Sequence, residues 1–245
     1  MSTTPTYTHA PLDPWERIEH RFESLPSTQT YLHHLEFQPL QLHICTAQTQ
    51  TAAFGQRHRT WIAPPETGIW CSIGVLSAHA LWPWTAMAAV AIAHCFESQY
   101  LHPSIKWPND VLLDDQKCAG ILVETAPQGA YQKIIIGIGI NLKMHPDLPQ
   151  GSTALSVHGV IDQHQLTEHI IDSIAHMLDQ PNPQWHLEWN TRMAYQHERL
   201  LLNQPHQTLE GYIKGITPQG ALLFETEQGL QTIYSGQLKR FNTVC

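Results

Sequence analysis

No window of the chain approaches about eighteen consecutive apolar residues, and the opening MSTTPTYTHAPLDPWER has no basic stretch leading into an apolar core. A membrane-spanning helix is excluded on that ground, and neither export nor anchoring is expected. Cations are scarce too: 13 Lys plus Arg stand against 21 Asp plus Glu, a formal net charge of −8 over 245 residues. That balance argues against a broad polyphosphate-binding surface, so each cation near a motif calls for a local explanation. Cysteines are few and odd in number. Cys45, Cys71, Cys95, Cys118 and Cys245 lack C-x-x-C spacing and fall mostly inside apolar runs, where a thiol serves as a small hydrophobe. A reducing, cytoplasmic setting is expected. The 17 histidines include no H-E-x-x-H and no His/Cys group at zinc-ligand spacing, so no metal site is expected and most are assigned to the surface.

A hydrophobic content of 42% can bury a substantial core, enough for one large domain or a medium domain with a small one. Residues 1 to about 12 are Thr/Pro-rich and read as a loose arm. RIEHRFESLPST reads as a strand ending in a turn, and Ser27 or Thr28 can cap the short helix TQTYLHHL. LQLHICTAQ and IWCSIGVLS are strand-like, whereas residues 49–68 mix Gly, Pro and cations as a mobile loop would. From Pro83, WTAMAAVAIAHCFESQY is apolar nearly all round and should be a buried helix. SIKWPNDVLLD, CAGILVETA and KIIIGIGINL are β-branched runs of one sheet, and LTEHIIDSIAHMLDQ carries the apolar stripe of a helix packed upon it. PNPQWHLEWN begins another helix. Beyond about residue 197, short strands separated by Pro218-Gln219-Gly220 and Glu227-Gln228-Gly229 suggest a small barrel. The class is α+β, with residues 1–196 and 197–245 as its two domains.

Chemistry concentrates around KWPNDVLLDDQKCAGILVET, residues 106–125. Pro108 fixes its own φ and biases Trp107 toward extended geometry, so Asn109 and Asp110 project from a rigid corner. Lys117 is an isolated ammonium at a strand start before Ala119-Gly120, a compact point charge among small residues. Gly120 would let a flat ligand lie against backbone, or would mark a β-bulge. Ser27, Thr28 and Gln29 set hydroxyl and amide donors and acceptors side by side, where a plain N-cap would use one hydroxyl. G-I-G-I-N is not the G-x-G-x-x-G nucleotide fingerprint, and Asp114-Asp115 read as a solvated hairpin tip.

K-W-P-N-D, then K-x-A-G-I-L-V-E, then G-I-G-I-N, together with STQTYL, the loop QTAAFGQRHRTW and GITPQGALLFETEQG, closely resemble the biotin protein ligases from about residue 18 onward. The resemblance implies a mixed central sheet flanked by helices, of the class II aminoacyl-tRNA synthetase-like type, followed by an SH3-like barrel. It implies that biotin and ATP, with Mg2+ carried by the nucleotide, give biotinoyl-5′-AMP. A lysine of a carboxylase's biotin carboxyl carrier domain then attacks the acyl carbon. Lys117, Arg57 and Asp110 are the catalytic residues it implies. Ser27, Thr28, Gln29, Gln50, Gly55, Gln56, Arg57, Lys117 and Gly120 would contact biotin, and Arg59, Trp61, Asn109 and Asn141 the nucleotide. A base role for Asp110 is weak on chemical grounds, because an ordinary carboxylate takes a proton poorly from an ammonium at neutral pH.

The family's loop runs close to Gly-Arg-Gly-Arg-x-Gly-Arg-x-Trp. Gly55, Arg57, Arg59 and Trp61 take up that pattern, whereas Ala53, Phe54, Gln56 and His58 depart from it, which puts retention of the adenylate in question. Lipoyl ligases and transferases share the acyl-adenylate logic and form a second reading, and a biotin-binding paralogue with weakened catalysis a third. A DNA-binding repressor is not expected, since about 25 residues precede STQTYL and they hold no basic recognition helix. The resemblance is compatible with a homodimer paired through a sheet edge.

Overall fold

The structure, a computed structural model, describes residues 15–78, 82–159 and 161–241. The arm expected over residues 1 to about 12 and the fifth cysteine, Cys245, lie outside the described residues. In chain order the first half contains β1 (Glu16–Leu25), α1 (Thr28–His33), β2 (Gln41–Gln50), β3 (Gly68–Ser77), α2 (Trp84–Glu97), β4 (Pro103–Lys106), β5 (Asp110–Leu113), β6 (Gln116–Gln128) and β7 (Tyr131–Asn141). They build a seven-stranded sheet in the order β1-β2-β3-β7-β6-β5-β4. The β1–β2 pair is parallel and all other joins are antiparallel, so the sheet is mixed and the class is α+β as expected.

Strand alternation divides the sheet into two unlike faces. In β7, Ile134, Ile136, Ile138 and Ile140 enter the main core beneath α2, α4 (Gln163–Asp179) and α5 (Trp185–Thr191). Ile135, Gly137, Gly139 and Asn141 turn to the other face, which α1 half covers through a small cluster containing Leu32, Phe37, Cys45 and Leu76. The G-I-G-I-N pattern is thus an isoleucine core face and a small-residue face woven together. A short helix, α3 (Leu155–His158), was not anticipated, since one turn is too short to show a period.

The second half of the fold is a five-stranded antiparallel sheet, ordered β11-β10-β9-β8-β12, built from β8 (Leu200–Asn203), β9 (Thr208–Ile216), β10 (Leu222–Thr226), β11 (Gly229–Ile233) and β12 (Gln237–Arg240). The expected barrel closure is not seen among the described residues: β11 and β12, 5 and 4 residues long, end the ladder on opposite sides and no pairing joins them. Leu200, Leu202, Ile213, Leu222, Phe224 and Leu238 belong to the same buried cluster as α2 and β7, so one apolar core runs through both sheets. No helix among the described residues is long and apolar enough to cross a membrane.

Candidate active site

One row of cross-strand partners crosses the small-residue face: Trp70 on β3, Gly139 on β7, Gly120 on β6, Asp110 on β5 and Lys106 on β4. Directly opposed residues in antiparallel pairs share a face, so all five address the same space. Alternation from Gly120 would send Lys117 to the opposite face, three residues away. A β-bulge between Val111 and Leu112 shifts the β5–β6 register and turns it back. Cys118 and Ala119 both enter the core, and the Lys117 ammonium reaches Asp110 Oδ1 at 2.5 Å. The ammonium that looks isolated in sequence is therefore ion-paired. Lys117 N donates to Gly151 O at 2.8 Å, Thr153 N donates to Lys117 O at 2.9 Å, and Asn141 Nδ2 donates to Thr153 O at 3.0 Å, which fixes the bulge from behind. The corner itself is held by its cis Trp107–Pro108 peptide, by Asn109 Nδ2 donating to Ile121 O (2.9 Å) and by Trp107 Nε1 donating to Gly220 O (3.2 Å).

A polar network lies beside this row. Ser27 caps α1 by accepting from Thr30 N, and Gln50 Oε1 accepts from Thr28 N (2.7 Å) and Thr28 Oγ1 (3.2 Å). Thr28 Oγ1 lies 2.8 Å from Ser72 Oγ, which donates to Gln29 Oε1 (3.1 Å), and Gln29 Nε2 donates to Ile135 O (3.2 Å). Ser27, Thr28, Gln29 and Ser72 are all buried. The far end of α1 is fixed by Lys133 of β7, whose ammonium donates to His33 O at 2.7 Å and Leu35 O at 2.5 Å over the Phe37 ring.

The loop between β2 and β3 folds over the row as a small hairpin. Phe54 bridges Thr60, Gly55 N donates to Arg59 O (2.8 Å) and Trp61 N to Ala53 O (3.0 Å). Two of the departures from the family pattern meet: the Phe54 and His58 rings lie 5.9 Å apart. A third, Ala53, is buried with Ala63 and Trp70. Counted back from Trp61, Gln56 stands at the pattern's second arginine and Arg57 at its variable position, so Arg57 offers its cation from one place along. His58 stands at a glycine of the pattern and keeps glycine's conformation, with φ 56° beside φ 59° at Arg57. Arg57 is exposed and lines the cavity, while Arg59 Nη2 donates to Gln237 Oε1 of β12 at 3.0 Å. The Trp61 indole lies on the glycine pair: a Cβ at Gly139 would come within 2.6 Å of it and one at Gly120 within 2.7 Å. The flat group against Gly120 is thus a protein side chain, 4.9 Å from the Lys117 ammonium.

The glycine row from Gly139 to Lys106, the Thr28–Ser72–Gln29 network and hairpin residues 53–57 and 59–61 line a cavity of about 390 Å³. Ser27, Thr28, Gln29, Gln50, Gly55, Gln56, Arg57, Arg59, Trp61, Asn109, Asp110, Lys117, Gly120 and Asn141 all line it, so every expected site residue reaches one space. Sequence reasoning missed Ser72, whose hydroxyl stands out in the apolar run IWCSIGVL, and also Lys106 and Gln237. Asp114-Asp115 form the exposed tip of the β5–β6 hairpin, as expected, and Arg240 Nη2 additionally donates to Asp115 at 2.6 Å and to Glu198 at 2.6 Å. His43 is buried despite the general assignment of histidines to the surface. Burial pushes the Cys45, Cys95 and Cys118 thiols up to about 12, which rules them out as nucleophiles near neutral pH. No group of three or more His, Cys, Asp or Glu side chains able to hold a metal occurs among the described residues.

Comparison with known proteins meets this geometry. Residues 21–141 match the biotin/lipoate A/B protein ligase family and residues 199–237 the biotin protein ligase C-terminal domain. The bifunctional ligase/repressor BirA of Bacillus subtilis is 29% identical over 216 residues, 80% of this chain and 65% of that protein. The chain therefore spans just under two thirds of the length of the BirA relatives it matches. The biotin–[acetyl-CoA-carboxylase] ligase of Paracoccus denitrificans is 30% identical over 217 residues, covering 78% of this chain and 88% of that one. A biotin protein ligase structure from Aquifex aeolicus, solved with biotin and ATP, shares the fold with a TM-score of 0.76 at 22% identity, over 91% of this chain and 98% of that one. On the strength of both matched regions and a relative aligned over most of its length, this chain belongs to the biotin/lipoate protein ligase family.

Proposed function

We propose that the chain is an ATP-dependent biotin protein ligase. The carboxylate of biotin attacks the α-phosphorus of ATP and pyrophosphate leaves. The amine of an acceptor lysine then attacks the acyl carbon and AMP leaves. The observation that carries this reading is the convergence of the Lys117–Asp110 pair, Arg57 and the Thr28–Ser72–Gln29 network on one cavity. Two negative groups brought to about 4 Å repel by about 4 kcal/mol at an effective dielectric near 20, so the first step needs cations already in place. Lys117, held by the bulge, and Arg57, on the covering hairpin, are those cations. Ser27, Thr28, Gln29 and Gln50 supply hydroxyl and amide groups for the ureido ring, and Gly55, Gln56 and Gly120 line the acyl end. Arg59, Trp61, Asn109 and Asn141 serve the nucleotide. Trp61 Nε1 and Asn141 Oδ1 are buried without a hydrogen bond among the described residues, which supports a polar ligand against them. Mg2+ enters with the ATP phosphates. Asp110 orients Lys117 rather than acting as the base.

The acceptor is read as a carrier domain of a carboxylase, as the name of the Paracoccus relative suggests for that protein. The C-terminal strands are read as an SH3-like module beginning near residue 197, and the setting as cytoplasmic. The test is incubation with Mg-ATP, a carrier domain and either biotin or lipoate, followed by mass measurement of the carrier. Biotin addition to one lysine is expected, and preferential lipoate addition would overturn the reading. Arg57→Ala should release biotinoyl-AMP that labels lysines of bystander proteins, and strict retention of the adenylate would remove Arg57 from the clamp.

A further inference from the structure

Lys106 opens the K-W-P-N-D motif yet has no part in the scheme above. It ends β4 directly opposite Asp110, and so extends the row that runs from Gly139 through Gly120 to the site carboxylate. Opposed Cβ atoms in such a pair lie about 5 Å apart on the same face, and Lys106 lines the same cavity as Lys117 and Arg57. Its ammonium lies 5.9 Å from the centre of the Tyr195 ring and makes no hydrogen bond or ion pair among the described residues. Lys117, by contrast, occupies Asp110 Oδ1. The cavity therefore holds two amines of different kinds, one paired and one not.

Transfer to an acceptor lysine needs a proton acceptor, because that amine arrives as an ammonium and only its neutral form carries a nucleophilic lone pair. We propose, resting on the ligase reading, that Lys106 is the general base of the transfer step. Its neutral amine takes one proton from the acceptor's ammonium, the freed nitrogen bonds to the acyl carbon, the carbon–oxygen bond to AMP breaks with its electron pair leaving on the phosphate, and the nitrogen's second proton passes to solvent water as the amide forms. The surroundings weaken the hold of Lys106 on its proton, and the geometry places its amine in the cavity without an ion-pair partner among the described residues. Burial lowers the affinity of Lys106 for a proton, Asp110 opposes that, and Lys117 of β6 with Arg240 and Lys239 of β12 reinforce it. Tyr195 supplies only a ring face.

The experiment separates the half-reactions in wild type, Lys106→Gln and Lys106→Arg. Biotin-dependent ATP–pyrophosphate exchange reads adenylation, and single-turnover transfer from purified biotinoyl-5′-AMP to a carrier domain reads the second step across pH 6 to 10. In both variants transfer is expected to fall about 100-fold at neutral pH and to lose the wild-type plateau at high pH, while exchange changes less than about threefold. Hydroxylamine, uncharged at neutral pH, should discharge the bound adenylate equally in all three proteins. Restored transfer in Lys106→Arg, which keeps the charge but not the base, would overturn the proposal. So would a parallel loss of both half-reactions, or of neither. Absence of exchange in the wild type would instead overturn the ligase reading, and this inference with it.

Discussion

Gly139 and Gly120 show most directly how single positions set the geometry of the site. The Trp61 indole rests where their side chains would be, and Gly139→Ala would force a Cβ to within 2.6 Å of that ring. Because the clash is with a bulky ring rather than a flexible chain end, we expect a cost of about 1–3 kcal/mol. A lowered Tm with a shifted tryptophan emission would register it, and an unchanged emission would mean that Trp61 does not rest there. A different dependence attaches to His43, which is stacked on Phe37 at 4.4 Å with Nδ1 3.2 Å from His20 Nε2. Burial, then the neighbouring His20 and Lys133, push it down to about 4. The fold thus disfavours the proton that the unfolded chain takes up near the ordinary histidine value of about 6.5. Its contribution is complete above that pH, is lost as pH falls toward 4, and changes no further below. The drop in Tm between pH 7 and pH 5 should be smaller in His43→Gln than in wild type, and equal drops would assign the acid sensitivity elsewhere.

Helix α1 carries Thr28 and Gln29, two of the residues proposed to meet biotin, yet it is only 6 residues long and cannot hold itself in place. Ser27 caps one end, and the Lys133 ammonium on β7 satisfies carbonyls at the other. Lys133→Met would remove hydrogen bonds from a charged donor worth about 1.5–3 kcal/mol. We expect a several-fold rise in KM for biotin with a smaller change in kcat, since the helix would be displaced while the cations remain. The cap at Ser27 is legible in S-T-Q because capping is local. Lys133 is not, because 100 residues separate it from the carbonyl it serves. The same limit explains β6: the strand is plain in C-A-G-I-L-V-E, but strict alternation puts Lys117 and Gly120 on opposite faces. Only the pairing of β6 with β5 reveals the bulge that reunites them.

The two sheets share one apolar core, in which Leu202 and Phe224 of the second half are buried together with α2 and β7 of the first. We therefore expect a single unfolding transition, followed alike by circular dichroism and tryptophan fluorescence. Leu202→Ala should move both signals together, at a cost of about 2–5 kcal/mol. Separate transitions would show that the modules fold independently. The sequence marks the change of texture near residue 197, but not that β12 returns to the cavity through Gln237 and to the β5–β6 turn through Arg240. Such contacts depend on how the sheets meet, which no local pattern encodes. The general reading rests on one claim, that Lys117 offsets the charge developed when a carboxylate meets the α-phosphate of ATP. Pyrophosphate exchange tests it without an acceptor protein. Exchange should require biotin in the wild type and fall about 100- to 1000-fold in Lys117→Ala, whereas exchange at the wild-type rate in that variant would contradict the account.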